Sequence, residues 1–111
     1  MPTQPNNSWP IFIQDRWGHP IYLTWERWEH ALGHPGMHDG LLTHLLVTLR
    51  KGGRKQDRYD PAKFKYTHRF PDLPMAYTHL EVVVKFGWQA MPVQANNFVL
   101  TGYLIEKWVN Q

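Results

Sequence analysis

Helical and strand-like patterns occupy separate parts of this 111-residue chain, and this separation restricts the folds that it can adopt. Between Thr24 and Lys51, apolar residues recur at helical spacing. Beyond Gly52 and Gly53, apolar and polar residues alternate, as they do along β-strands. Helices followed by strands are typical of α+β folds, in which the helices pack on one face of an antiparallel sheet. The length fits one domain.

Two helices are predicted. Thr24 is a good N-cap for the first, Trp25, Trp28 and Leu32 form its apolar stripe, and Gly33 ends it. The second is expected to begin near residues 35–39 and to stop at Gly52. Its stripe consists of five leucines, which are Leu41, Leu42, Leu45, Leu46 and Leu49.

Six strands follow from the alternation and from the turn residues between them. A short hairpin is predicted at Ile11 to Gln14 and Ile21 to Leu23, and four later strands at 54–59, 63–70, 78–86 and 98–105. The predicted fold is therefore α+β, with two N-terminal helices packed on a four-stranded antiparallel sheet and a short N-terminal hairpin. Residues 1–10 are expected to form a flexible tail, and residues 11–111 a single domain.

The basic charge is concentrated in one stretch. Arg50 to Arg69 holds eight of the twelve Lys and Arg residues and two acids, so it carries a net charge of +6. From Lys63 to Phe70, basic or polar residues alternate with aromatic ones, which predicts a strand with one cationic face. A basic sheet surface suits a polyphosphate such as RNA, although a merely solvated strand has the same pattern.

Composition excludes other classes of protein. The absence of Cys excludes disulfides and thiolate chemistry and fits a reducing compartment. The first ten residues lack the features of a signal peptide. The apolar run from Leu41 to Leu49 is too short to cross a bilayer. We therefore expect a cytoplasmic protein that does not interact with membranes.

The seven histidines raise the question of a metal site. His30, His34 and His38 are four residues apart, but Pro35 and Gly36 interrupt any helix that would align them. The order of Glu29, His30 and His34 is not that of a zinc protease motif. We predict no metal and no cofactor, and a metal-dependent enzyme is the least favoured alternative.

Cleavage of RNA without a metal needs groups that transfer protons and cations that stabilise the phosphate. The first helix offers His30, and the last predicted strand offers Thr101 and Tyr103. The cations available are Arg54, Arg58, Lys63, Lys65, Arg69 and Lys85. Lys65, Lys85 and Thr101 are expected to share one sheet face around a phosphate.

Short motifs along residues 21–106 carry a family resemblance. They are Leu23-Thr24-x-x-Arg27-Trp28-x-His30-x-x-x-His34-Pro35, Thr48-Leu49-Arg50, Lys65-Tyr66, Val82-Val83-Val84-Lys85 and Leu100-Thr101-Gly102-Tyr103. In these the chain resembles the small phage and plasmid-borne barnase-like proteins, within the broad superfamily of barnase, colicin ribonuclease domains and RelE toxins. The resemblance implies metal-independent endoribonuclease activity, often as a toxin held by a small cognate antitoxin. It makes His30 the helix-borne histidine, Thr101 the hydroxyl of the last strand, and the basic strand residues phosphate ligands.

Residues and resemblance together give two predicted sets. The catalytic set is His30, Lys65, Lys85 and Thr101, and the RNA-binding set is Arg54, Arg58, Lys63, Arg69 and Tyr103. The expected partners are RNA and an antitoxin. The alternative is a non-catalytic nucleic-acid or protein-binding module of the same fold.

Overall fold

A computed structural model describes residues 8–107 of the chain. The helices are α1 (Trp25–Leu32) and α2 (Leu42–Lys51), the second preceded by a 3₁₀ turn (Asp39–Leu41). The strands are β1 (Ile11–Gln14), β2 (Pro20–Leu23), β3 (Gly53–Gln56), β4 (Lys63–Arg69), β5 (His79–Lys85), β6 (Trp88–Gln89), β7 (Gln94–Ala95) and β8 (Phe98–Ile105).

Capping residues mark the start of α1 and the end of α2. The Oγ1 atom of Thr24 accepts a hydrogen bond from the amide of Arg27, as predicted for an N-cap. Gly52 follows the end of α2. A side chain is excluded at this position, because a Cβ would lie 2.5 Å from the carbonyl oxygen of Thr48 and 2.7 Å from that of Thr67. Within residues 8–107, no helix is long and apolar enough to cross a membrane.

The sheet differs from the prediction. Its strand order is β1-β2-β8-β5-β4-β3, in which β3, β4, β5 and β8 are antiparallel neighbours and β2 pairs with β8 in parallel at Tyr22 and Phe98. The predicted four-stranded antiparallel sheet is therefore wrong: the protein is α+β with a six-stranded mixed sheet, and β6 and β7 form a separate two-stranded sheet. The N-terminal hairpin joins the main sheet at the start of β8, where the Tyr22 amide donates to the carbonyl oxygen of Asn97 (3.0 Å).

The two faces of the sheet have opposite character. Tyr66, Val82 and Gly102 pair across β4, β5 and β8 on the face that α2 covers, where a Cβ on Gly102 would meet Leu45 at 3.2 Å. This helix-covered face holds the hydrophobic core, together with Trp28, Leu49, Leu80, Val84, Val99 and Leu104. Residues that alternate with these lie on the opposite face, which we call the open face.

The predicted flexible tail, residues 1–10, falls mostly outside the described residues, which begin at Ser8. Trp9 packs edge-on against Trp25 of α1, with 5.4 Å between ring centroids. The aromatic contact joins the start of the described chain to the first helix.

Candidate functional site

The strand register assembles a polar surface on the open face. Lys55, Lys65, Val83 and Thr101 form one row across β3, β4, β5 and β8. The next row contains Thr67, Glu81 and Tyr103, and beyond it Arg69 lies opposite His79. Side chains two residues apart on a strand share a face, so these rows form one continuous surface.

A groove of about 470 Å³ lies on this surface beside the end of α2. Among the described residues that line this groove, Glu81 is the only one with a carboxylate. The lining cations are Lys51, Arg54, Lys55, Lys65, Arg69 and Lys107, and Thr67, His68 and His79 also contribute. We call this the cationic groove, and its charge favours a polyanion.

Two hydroxyl groups position the Glu81 carboxylate. Thr67 Oγ1 donates a hydrogen bond to Glu81 Oε2 (3.2 Å). Tyr103 lies opposite Glu81 in β8, and burial together with its hydrogen bond to Glu81 raises the pKa of Tyr103 to about 12. Tyr103 therefore remains a protonated donor at neutral pH, and the carboxylate is held at a defined place in the cationic groove.

His79 provides a second proton-transfer group beside Glu81. The two residues are alternate positions of β5, so their Cα atoms are roughly 6.5–7 Å apart on one face. Burial lowers the pKa of His79, and the charges of Lys107 and Arg69 lower it further, whereas Glu81 opposes them. The Thr78 hydroxyl lies 2.6 Å from His79 Nδ1 and fixes the ring. His79 is thus largely neutral at neutral pH when the groove holds no anion.

The predicted catalytic residues His30 and Thr101 both contact His34, which belongs to neither predicted set. Thr101 Oγ1 lies 3.1 Å from His34 Nε2. The His34 ring contacts Tyr103 at 5.6 Å, and the His30 ring contacts His34 at 5.7 Å. His30 is exposed, and its ring contacts His34, which in turn contacts Tyr103. The structure therefore places His30 and Thr101 beside the cationic groove, not in it.

Lys65 and Lys85 lie on the open face, as expected, but their surroundings differ. Lys65 is exposed and lines the cationic groove. Lys85 lies opposite Lys63 in the register, and its ammonium donates to Asp60, so its charge is already compensated. This hydrogen bond and one from the Ala62 amide hold the pKa of Asp60 below its ordinary value. The register places Lys65 and Thr101 on either side of Val83, two residues from Lys85, so the three residues share the open face, and their joint binding of one phosphate stays a prediction.

The predicted RNA-binding residues are also divided. Arg69 lines the cationic groove, Lys63 lies on the open face, and Arg58 is exposed in the turn between β3 and β4, with its guanidinium 5.8 Å from the Tyr59 ring. Tyr103 contacts Glu81, as described above.

Arg54 points to the helix-covered face, as does Tyr66, its partner in the register. There its guanidinium lies over the rings of Trp17 (4.4 Å) and Phe64 (4.8 Å) and forms a 3.2 Å ion pair with buried Asp15. These contacts give Arg54 a structural role that competes with phosphate binding.

Glu81 and His79 were absent from the sequence-based sets, although a signal was present. The alternation that places Leu80, Val82 and Val84 in the core puts His79, Glu81 and Lys85 together on the other face. Of these three residues, Lys85 alone belongs to a predicted set.

Comparison with known proteins yields no relatives. No family model matches the chain, and neither the curated proteins nor the solved structures include a significant match. Within residues 8–107, no group of three or more His, Asp or Glu residues is arranged to hold a metal ion.

Proposed function

We propose that this protein is a metal-independent endoribonuclease that binds RNA on the open face of its sheet and cleaves it in the cationic groove. The proposal depends on one observation: Glu81 and His79 are neighbours on one strand face in a groove whose other charged lining residues, among those described, are all cations. A carboxylate and an imidazole are the proton-transfer groups that RNA cleavage needs, and the cations provide the charge stabilisation.

In the proposed reaction, the Glu81 carboxylate takes the proton from a ribose 2′-hydroxyl. The 2′-oxygen attacks the adjacent phosphorus, the bond from phosphorus to the 5′-oxygen breaks, and the protonated His79 ring gives its proton to that leaving oxygen. The products are a 2′,3′-cyclic phosphate and a 5′-hydroxyl. Lys65 and Arg69, both in the lining, stabilise the charge on the phosphate.

The low pKa of free His79 is compatible with this role, because RNA changes the charge around the ring. Lys107 and Arg69 lower the pKa in the free protein. A bound phosphate offsets those two cations and favours the protonated ring. Binding of substrate therefore prepares the proton donor.

A toxin that acts in the cytoplasm and is held by a small cognate antitoxin is part of this proposal, on the basis of the family resemblance. It stays a prediction, and growth arrest on expression without a partner would support it. Because the sheet topology differs from the one that the resemblance predicted, the fold does not support this activity. The activity is proposed from the residues of the cationic groove.

The experiment compares Glu81→Gln and His79→Gln with a matched control, Glu106→Gln, whose carboxylate is exposed and does not line the cationic groove. Cleavage of labelled RNA in the presence of a chelator is measured, and the products are analysed for cyclic phosphate ends. Each groove variant should lose about 10²-fold or more of the rate.

The proposed mechanism fails if Glu81→Gln cleaves RNA like the wild type. RNA that binds with strong salt dependence but is never cleaved would favour the non-catalytic binding module.

A further inference from the structure

A second cleft on the same side of the molecule has a different chemistry. It encloses about 290 Å³ between the N-terminal hairpin and the β6–β7 hairpin. Aromatic and amide side chains dominate its lining, and none of the described residues that line it is charged. Its lining includes the side chains of Phe12, Tyr22, Gln89, Gln94 and Asn96. We call this the aromatic–amide cleft.

Its amide groups are oriented and keep hydrogen-bonding capacity. The Tyr22 hydroxyl donates to Asn96 Oδ1 (2.8 Å), and Gln94 Nε2 donates to Gln89 Oε1 (3.2 Å). Within the described part of the chain, Asn96 Nδ2 and Gln94 Oε1 have no hydrogen-bond partner. The cleft therefore offers one amide donor and one amide acceptor to a ligand.

Its aromatic rings form a row on the open face. Phe12 is 75% exposed and lies 6.1 Å from the Tyr22 ring, which lies 5.9 Å from the Phe98 ring. Phe98 is the register partner of Lys85 in β5, which connects this row to the basic part of the face. An exposed ring beside oriented amides suits a flat, neutral ligand with hydrogen-bonding edges, whereas a lining whose described residues are uncharged gives a phosphate little electrostatic attraction.

We propose that the aromatic–amide cleft binds one unpaired nucleobase of the RNA strand whose backbone occupies the cationic groove. This inference rests on the proposed function and adds base recognition to it. Unpaired bases are recognised by stacking on aromatic rings and by hydrogen bonds to their edges. β2 is two strand positions from β5, or about 10 Å at ~4.8 Å per strand, and Glu81 lies four residues along β5 from Lys85, or about 13 Å at ~3.3 Å per residue. The resulting separation of roughly 16 Å is one that a few nucleotides of single strand can cross.

The test uses the full chain with Glu81→Gln, so that RNA stays intact, and four short homopolymers of equal length. Affinities are measured by fluorescence anisotropy over a range of salt concentrations. The homopolymers should differ in affinity, and Phe12→Ala should weaken the preferred one by about 10-fold. Gln94→Ala should reduce the difference between bases. Neither variant should change the slope of log affinity against log salt, because the cleft contacts no phosphate.

Val93→Ala is the matched control, since Val93 is exposed on the same hairpin region and does not line the cleft. It should leave both preference and slope unchanged. Equal affinity for all four homopolymers, or a preference that survives in both cleft variants, would overturn the inference.

Free nucleosides separate this inference from the proposed function. Nuclear magnetic resonance spectra should show that at least one nucleoside shifts the side-chain amide signals of Asn96 and Gln94. If RNA does not bind, or binds independently of salt, the proposed role of the cationic groove is wrong. The amide shifts alone then test whether the aromatic–amide cleft binds a base. Unshifted amides under that condition would refute base binding as well.

Discussion

Phosphate binding by the cationic groove is tested most directly by substituting Lys65 and Lys85 in turn. Both lysines lie on the open face, but Lys85 is paired with Asp60 whereas Lys65 is exposed in the cationic groove. Lys65→Met should therefore remove a phosphate contact. The double variant Lys85→Met with Asp60→Asn removes both partners of the Lys85–Asp60 ion pair without changing the net charge. It should leave phosphate binding intact.

The magnitude follows from the lining of the cationic groove. Leaving aside Arg54, five cations line it, which are Lys51, Lys55, Lys65, Arg69 and Lys107. If each neutralises one phosphate of single-stranded RNA, the log–log slope of affinity against salt is about −3.5, at roughly −0.7 per contact. A fourfold rise in salt then weakens binding about 10²-fold. Lys65→Met should flatten the slope to about −2.8.

Asp60→Asn alone provides the reciprocal measurement. It releases the Lys85 ammonium, so the slope should steepen by about 0.7 if RNA passes over Lys63 and Lys85. All four proteins are titrated with one fluorescent RNA at several salt concentrations in the Glu81→Gln background. If the charge-neutral double variant flattens the slope as much as Lys65→Met does, Lys85 contacts phosphate despite Asp60 and our reading of the ion pair is wrong.

Two further predictions concern groups with shifted pKa values. Burial would raise the pKa of Asp15, but hydrogen bonds from Tyr66 (2.6 Å) and His19 lower it overall. The stability that Asp15 contributes is therefore present above its unfolded-state pKa of about 3.9 and is lost as the pH falls through its folded-state pKa. Tyr66→Phe keeps the ring, should lower the free energy of unfolding by about 1–3 kcal/mol, and should move acid unfolding, followed by circular dichroism, to higher pH; an unchanged acid transition would contradict this. The His79 ring, followed by nuclear magnetic resonance, should titrate below its ordinary value of 6.5 in the free protein and at higher pH with RNA bound; a midpoint that RNA leaves in place would show that no phosphate approaches the ring.

Local signals in the sequence predicted the helices and the long strands well. Thr24 caps α1 and Gly52 ends α2, because both effects depend on groups within a few residues or on a side chain that must be absent. The alternation along β4, β5 and β8 predicted the strands because each buries one face. The β6–β7 hairpin was missed, since strands of two residues are too short to show a period.

Contacts between distant residues could not be predicted from the sequence. The parallel pairing of β2 with β8 joins Tyr22 to Phe98, and no pattern within either strand specifies that partner. The predicted phosphate-binding role of Arg54 was inferred from the charge of its segment. That inference could not include Asp15, which is 39 residues away and buried beside it. The same holds for Lys85 and Asp60, which are 25 residues apart.

On our proposal, the two halves of the open face bind different parts of an RNA strand, the phosphate backbone and the bases. Its basic half lies on β3, β4 and β5, where period-two alternation directs lysines away from the core, and these cations attract any phosphate backbone regardless of sequence. Its aromatic half lies on β1, β2 and β8, beside the aromatic–amide cleft, whose described lining residues are uncharged. On our proposal, this half distinguishes bases and gains little from a phosphate. β8 belongs to both halves, because Phe98 lies in the aromatic row while Tyr103 holds Glu81. A strand bound across β8 would therefore have its base chosen at one end of β8 and its backbone cut near the other. Salt should then weaken affinity without changing base preference.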